Sequence, residues 1–182
     1  MLGHGAGGGT GTPDLLALAR ALPERGVSVV LVDQPWVVAG RKVAVAPPQL
    51  DIAWRAVVPA LGLEGPLLVG GRSAGARVAC RTALDLGAVG AVALAFPLHP
   101  PGRPEKSRLA ELLGAGVPTL VVQGANDPFG EPAQFPAGPA VVRPVPFADH
   151  SFRVAKAAPL TAREAVGLVV HHVGAWVHAL LR

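Results

Sequence analysis

Gly71-Arg72-Ser73-Ala74-Gly75 reads G-x-S-x-G, a spacing that places one serine hydroxyl at the tip of a tight turn between two glycines. A serine hydroxyl is a poor nucleophile until a neighbouring imidazole takes its proton. A carboxylate must then hold that imidazole in one tautomer and stabilise its charged form. Both groups occur downstream, Asp127 in Gly124-Ala125-Asn126-Asp127-Pro128 and His150 in Ala148-Asp149-His150-Ser151. Acyl transfer also needs fixed N–H donors where the oxyanion develops. The run Gly3-His4-Gly5-Ala6-Gly7-Gly8-Gly9 presents backbone N–H groups with little side-chain obstruction and can form one wall of such a hole. The N–H of Ala74, at the start of the helix expected after Ser73, can form the other.

These residues need a scaffold that brings distant loops together. Residues 66–70 form a short apolar run before Ser73, and residues 74–84 follow it with a helical pattern, so the serine sits where a strand turns into a helix. Thr12 and Pro13 read as the N-cap and first position of an earlier helix. Further strands are expected over 27–32, 91–96, 117–123 and 140–145, with a loop over 33–48. Helices are expected over 50–61, 105–113 and from about Thr161 onward, with a short helical turn over 131–135. Strands and helices alternate throughout. The fold class is therefore α/β, a mostly parallel sheet with helices on both faces. In such a sheet, functional groups gather at the carboxyl ends of the strands. Ser73, Asp127 and His150 each fall just past one. The connection 97–104 is short and carries four prolines, so no large cap domain is expected over the site.

The composition narrows the function classes. Hydrophobic residues make up 51% of the 182 and charged residues 15%, which fits one globular domain over 1–182. The formal net charge of +4 is spread singly along the chain, with no basic arm for nucleic acid. One cysteine, Cys80, excludes an internal disulfide and reads as a small buried residue. There is no signal-peptide pattern, and the apolar stretch 165–181 is interrupted by His171, His172 and His178, so it reads as a helix on the core rather than a membrane span. A cytoplasmic protein acting on a small-molecule acyl substrate is expected, with no nucleic-acid or membrane partner, no metal and no organic cofactor.

Alternatives exist for several positions. Asp149 adjoins His150 and competes with Asp127 for the acid, and Asp33, at the end of an expected strand, is a third option. Arg72, beside the serine, and His99, in the proline-rich loop, could line the substrate pocket; a structural role is open to both. His4 reads as a brace for the glycine loop. Gly3-x-Gly5-x-x-Gly8 with Asp33 also satisfies a dinucleotide fingerprint, which would make this an NAD-binding module. Against that reading, no strand is expected before the glycines and the helix starts well after them. The same fold kept as a non-catalytic scaffold is a further alternative.

The stretches LGHGAGGG (2–9), GGRSAGAR (70–77), FPLHPPGRPEKSR (96–108), VQGANDPFG (122–130) and ADHSF (148–152) together resemble the α/β-hydrolase superfamily. Within it they resemble the dienelactone-hydrolase-like branch that includes bacterial hydrolases and the testis-expressed and histone-acetyltransferase-regulatory-subunit-like proteins. The resemblance implies Ser73 as nucleophile, Asp127 as acid, His150 as base, and Ala6 and Ala74 as oxyanion donors. Dienelactone hydrolases proper use cysteine where this chain has Ser73, so their substrate does not carry over. The resemblance also implies a β-strand immediately before the glycine loop, where this chain has only Met1, Leu2 and Gly3 ahead of His4. The chain is therefore expected to be N-terminally truncated, with an open slot between the strand ending at Asp33 and the one ending at Gly70. Poor solubility or weak activity would follow, relieved by restoring about 20–30 upstream residues.

Overall fold

A computed structural model describes residues 1–62, 64–138 and 140–182. Its sheet has six parallel strands: β1 (Leu2–Gly3), β2 (Leu31–Val32), β3 (Leu68–Arg72), β4 (Gly90–Leu94), β5 (Thr119–Gly124) and β6 (Ala140–Val145). Their order across the sheet is β2-β1-β3-β4-β5-β6. The helices are α1 (Pro13–Ala21), α2 (Pro35–Val38), α3 (Pro47–Leu61), α4 (Ala74–Thr82), α5 (Leu109–Leu113) and α6 (Ala162–Leu180).

The central strands are apolar on both sides because both sides are covered. Val92 and Leu94 of β4, with Leu120 and Val122 of β5, join α1 and α6 in one core cluster. Ala93 and Val121 face the opposite layer, where α4 and α5 bring Ala76, Cys80 and Leu112. Trp54 of α3 and Val78 of α4 continue that second layer around Val69 and Ala91.

The slot expected to be open is occupied. Leu2 and Gly3 pair with Leu31 and Val32 on one side and with Gly70 and Gly71 on the other. The unpaired backbone on which the expected loss of solubility rested is therefore absent at this place. The strand expected over 27–32 is only Leu31–Val32, paired along the two residues of β1.

Other elements differ at their ends for local reasons. The expected loop 33–48 contains α2, and α3 begins at Pro47, where two prolines occupy positions whose N–H groups would have no helical acceptor. Thr12 precedes α1 in extended conformation, but its hydroxyl makes no cap bond. Thr161 does cap α6: its hydroxyl accepts from the Glu164 N–H, while the Glu164 carboxylate accepts from the Thr161 N–H.

Candidate active site

The serine turn is held by backbone packing. Ser73 has φ 53° and ψ −110°, outside the regions ordinary residues favour. Its N–H donates to the Leu94 carbonyl at 2.9 Å, which ties the turn to the end of β4. The two glycines of the motif are needed for close approach. A Cβ on Gly71 would lie 2.5 Å from the Gly3 carbonyl oxygen, and one on Gly75 would collide with the same peptide. The turn is thus pressed against β1, which is why that short strand matters to the site.

His150 is presented by a second turn, closed by an antiparallel bridge between Ala148 and Val154. Asp149 builds this turn: its Oδ1 accepts from the N–H groups of Ser151 at 2.7 Å and Arg153 at 2.9 Å. Its carboxylate is therefore engaged with backbone and makes no bond to the His150 ring. Asp127, in contrast, is 1% exposed, and its Oδ2 lies 2.8 Å from His150 Nδ1. The other ring nitrogen, Nε2, lies 2.9 Å from Ser73 Oγ. The structure thus brings Ser73, His150 and Asp127 into one hydrogen-bonded line, and leaves Asp149 and Asp33 outside it. Asp33 instead accepts from Thr10 Oγ1 at 3.2 Å.

The Asp127 carboxylate has two further donors. Gln123 Nε2 reaches Oδ2 at 2.8 Å, and the Phe129 N–H reaches Oδ1 at 2.8 Å. Gln123 Nε2 also reaches the Gly130 carbonyl at 2.8 Å, so one amide fixes both the acid and its turn. Gln123 was not singled out from the sequence. Its signal was available: a polar residue closing the apolar run Leu120-Val121-Val122, four positions before Asp127. Phe129 was also missed. Its ring stacks on His150, with centroids 4.2 Å apart and an interplanar angle of 30°.

The glycine loop lies against the serine. A Cβ on Gly5 would sit 3.1 Å from Ser73 Cβ. His4, wholly buried, accepts at Nε2 from the Gln34 N–H at 2.9 Å. Its proton is therefore on Nδ1, which donates to the Gly5 carbonyl at 2.8 Å. The 3.8 Å approach of Asp33 to the same Nε2 is not an ion pair, because that nitrogen is an acceptor. Among the described residues no peptide bond is cis, so the Ala6 N–H points opposite to the Gly5 carbonyl that His4 holds. Ala74 opens α4, and a first-turn N–H has no acceptor within its own helix.

The remaining candidates sit nearby. Arg72 is buried, with Nη2 donating to the His150 carbonyl at 3.0 Å and Nε 3.4 Å from Asp14 Oδ2. His99 is buried with Nδ1 2.9 Å from the Pro100 carbonyl, and its N–H donates to the carbonyl of Phe129, the residue stacked on His150. Cys80 lies inside α4; burial, then the Glu111 charge, pushes its thiol up to about 12, so it does not compete as a nucleophile at neutral pH. Among the described residues no group of three or more His, Cys, Asp or Glu side chains is placed to hold a metal ion. No helix among them is long and apolar enough to cross a membrane.

A family described as an alpha/beta hydrolase domain matches residues 1–178. The chain belongs to that family. Contrary to the expectation that no strand precedes the glycines, β1 does. Solved structures of similar fold include an alpha-beta serine hydrolase homologue from Coxiella burnetii, with 18% identity and TM-score 0.69 over 94% of this chain and 84% of that one. A lidless α/β serine hydrolase from Xanthomonas campestris shares 21% identity at TM-score 0.67, over 96% of this chain and 81% of that one. An esterase domain from Rhodothermus marinus shares 13% identity at TM-score 0.67, over 98% and 85%. No curated protein matches the chain.

Proposed function

We propose that this α/β hydrolase is a serine hydrolase that cleaves an ester, thioester or small amide through an acyl-enzyme intermediate. The observation that carries this reading is the continuous line from Ser73 Oγ through the His150 ring to Asp127 Oδ2, with contacts of 2.9 and 2.8 Å. His150 Nε2 takes the Ser73 proton as Oγ attacks the substrate carbonyl. The N–H groups of Ala6 and Ala74 hold the oxyanion, and His150 then hands the proton to the leaving group. Water then attacks the acyl carbon as His150 takes one of its protons, and His150 returns that proton to Ser73 Oγ as the acid leaves. Asp127 orients the ring and offsets its charge, and Gln123 and the Phe129 N–H keep that carboxylate in place.

Substrate size follows from the loop after β4. Residues 97–108 are turns and coil, tied down by the Arg108 N–H to the Leu98 carbonyl and by Arg108 Nη1 to the Pro97 carbonyl at 3.1 Å. This loop forms a rim rather than a cap, so short acyl chains are the favoured substrates. The glycine loop, the serine turn and the Asp127 and His150 loops also support placing the chain in the dienelactone-hydrolase-like branch.

A fluorophosphonate probe tests the proposal. Ser73 is the labelled residue, and Ser73→Ala abolishes both labelling and ester hydrolysis while the melting temperature stays near that of the parent. Labelling that persists in Ser73→Ala removes the assignment.

A further inference from the structure

Gly7 and Gly8 of the glycine loop form part of the wall of a cavity of about 480 Å³. Thr12, Arg72, Arg153 and Arg163 line it as well, together with Asp14. The balance of charge is uneven. Asp14 faces Arg72, while Arg153 and Arg163 form no ion pair among the described residues. The nearest acids in sequence bond to backbone instead: Asp149 accepts from the N–H groups of Ser151 and Arg153, and Glu164 caps α6 through Thr161. Among the described residues neither guanidinium has a carboxylate at ion-pair distance.

The buried side of the cavity is polar. Arg72 Nε and Asp14 Oδ2 face each other at 3.4 Å, and Thr12 Oγ1 is buried with no hydrogen-bond partner. Two guanidiniums without an ion pair on one cavity, next to a third that is buried, mark a place for ligand oxygens. The cavity also adjoins the reacting centre along the chain. Arg72 precedes Ser73, Gly7 follows Ala6, and Ser151, another lining residue, follows His150.

We infer that this cavity is an anion subsite, and that the substrate carries a carboxylate or phosphate a short chain away from the carbonyl that Ser73 attacks. The inference rests on the serine-hydrolase reading and gives it a substrate class. Arg153 and Arg163 hold the anion from the open side of the cavity.

Three p-nitrophenyl esters test it: pentanoate, which is neutral, and the matched glutarate and 4-phosphonobutanoate esters, which end in a carboxylate and a phosphonate. The parent protein has a higher kcat/KM for at least one charged ester than for pentanoate, and which one separates carboxylate from phosphate. In Arg153→Glu/Arg163→Glu that charged-to-neutral ratio falls roughly tenfold or more. Arg153→Lys/Arg163→Lys keeps part of it, and Lys42→Glu, a charge outside the cavity lining, leaves it in place. A parent that prefers pentanoate over both charged esters, or a ratio indifferent to the double charge reversal, overturns the anion subsite while leaving the hydrolase. Failure to turn over any of the three esters, together with no fluorophosphonate labelling, overturns the hydrolase reading itself.

Discussion

Arg72 donates from Nη2 to the carbonyl of His150 at 3.0 Å, although Arg72 ends β3 and His150 lies in the turn after β6. Its Nε faces Asp14 of α1 at 3.4 Å, so one buried guanidinium ties the His150 turn to α1. Arg72→Met is expected to lower kcat by roughly 10- to 100-fold, because the His150 backbone loses its anchor. It also leaves Asp14 as an unpaired buried carboxylate, at a cost of about 3–5 kcal/mol. Arg72→Met/Asp14→Asn recovers stability in thermal melts without recovering kcat. Recovery of both would reduce Arg72 to a structural ion-pair partner.

Asp127→Asn is expected to reduce kcat by roughly 10⁴, since an amide no longer holds the imidazole tautomer. Asp149→Asn is expected to cost much less, because it weakens a turn rather than the ring's partner. The comparison needs only steady-state rates on one short ester. A larger loss in Asp149→Asn would reverse the assignment of the acid.

Gln123→Met keeps the volume but removes the amide that holds Asp127 Oδ2 and the Gly130 carbonyl. We expect a fall in kcat of roughly tenfold or more with little change in KM, as befits a residue acting through the acid. An unchanged kcat would show that the Phe129 N–H suffices to place the carboxylate.

Gly71→Ala is expected to destabilise by about 3 kcal/mol or more, because its methyl group meets the Gly3 carbonyl and not a side chain that can turn aside. Urea unfolding monitors it directly. A stable, active variant would mean that β1 can shift without disturbing Ser73.

The network of Glu111 with Arg77 and Arg81 sets an acid limit on stability. Burial raises the Glu111 pKa, but the two guanidiniums outweigh it and hold the carboxyl below its ordinary value. The stabilisation is complete above the ordinary glutamate pKa of about 4.3 and disappears as pH falls through the lower folded value. The melting-temperature advantage of the parent over Glu111→Gln should therefore be largest near neutrality and shrink below about pH 4. An advantage that grows on acidification would contradict this.

The sheet and the serine turn were legible because both leave local marks. Apolar runs with short loops announce buried parallel strands, and Gly71 and Gly75 announce a backbone contact. Asp127 was legible from its place after β5. What escaped was set by contacts between distant segments. Gln123 acts through a side chain that reaches across a turn, and Phe129 through a ring stacked on a residue far along the chain. The N-terminal slot was misread for a related reason. Three residues look too few for a strand, yet two suffice when both neighbours are already in place to pair with Leu2 and Gly3.

The pressing of the serine turn against Gly3 also bears on how the molecule reaches its native state. β1 pairs with β3 only after the intervening segment through β2 and α3 has been looped out, and contacts of such separation form slowly. The backbone angles at Ser73 have no local reason to persist until that closure occurs. Helical signal should therefore return first in refolding, and the ability to react with a fluorophosphonate last, making the reactive serine a clock for completion of the sheet.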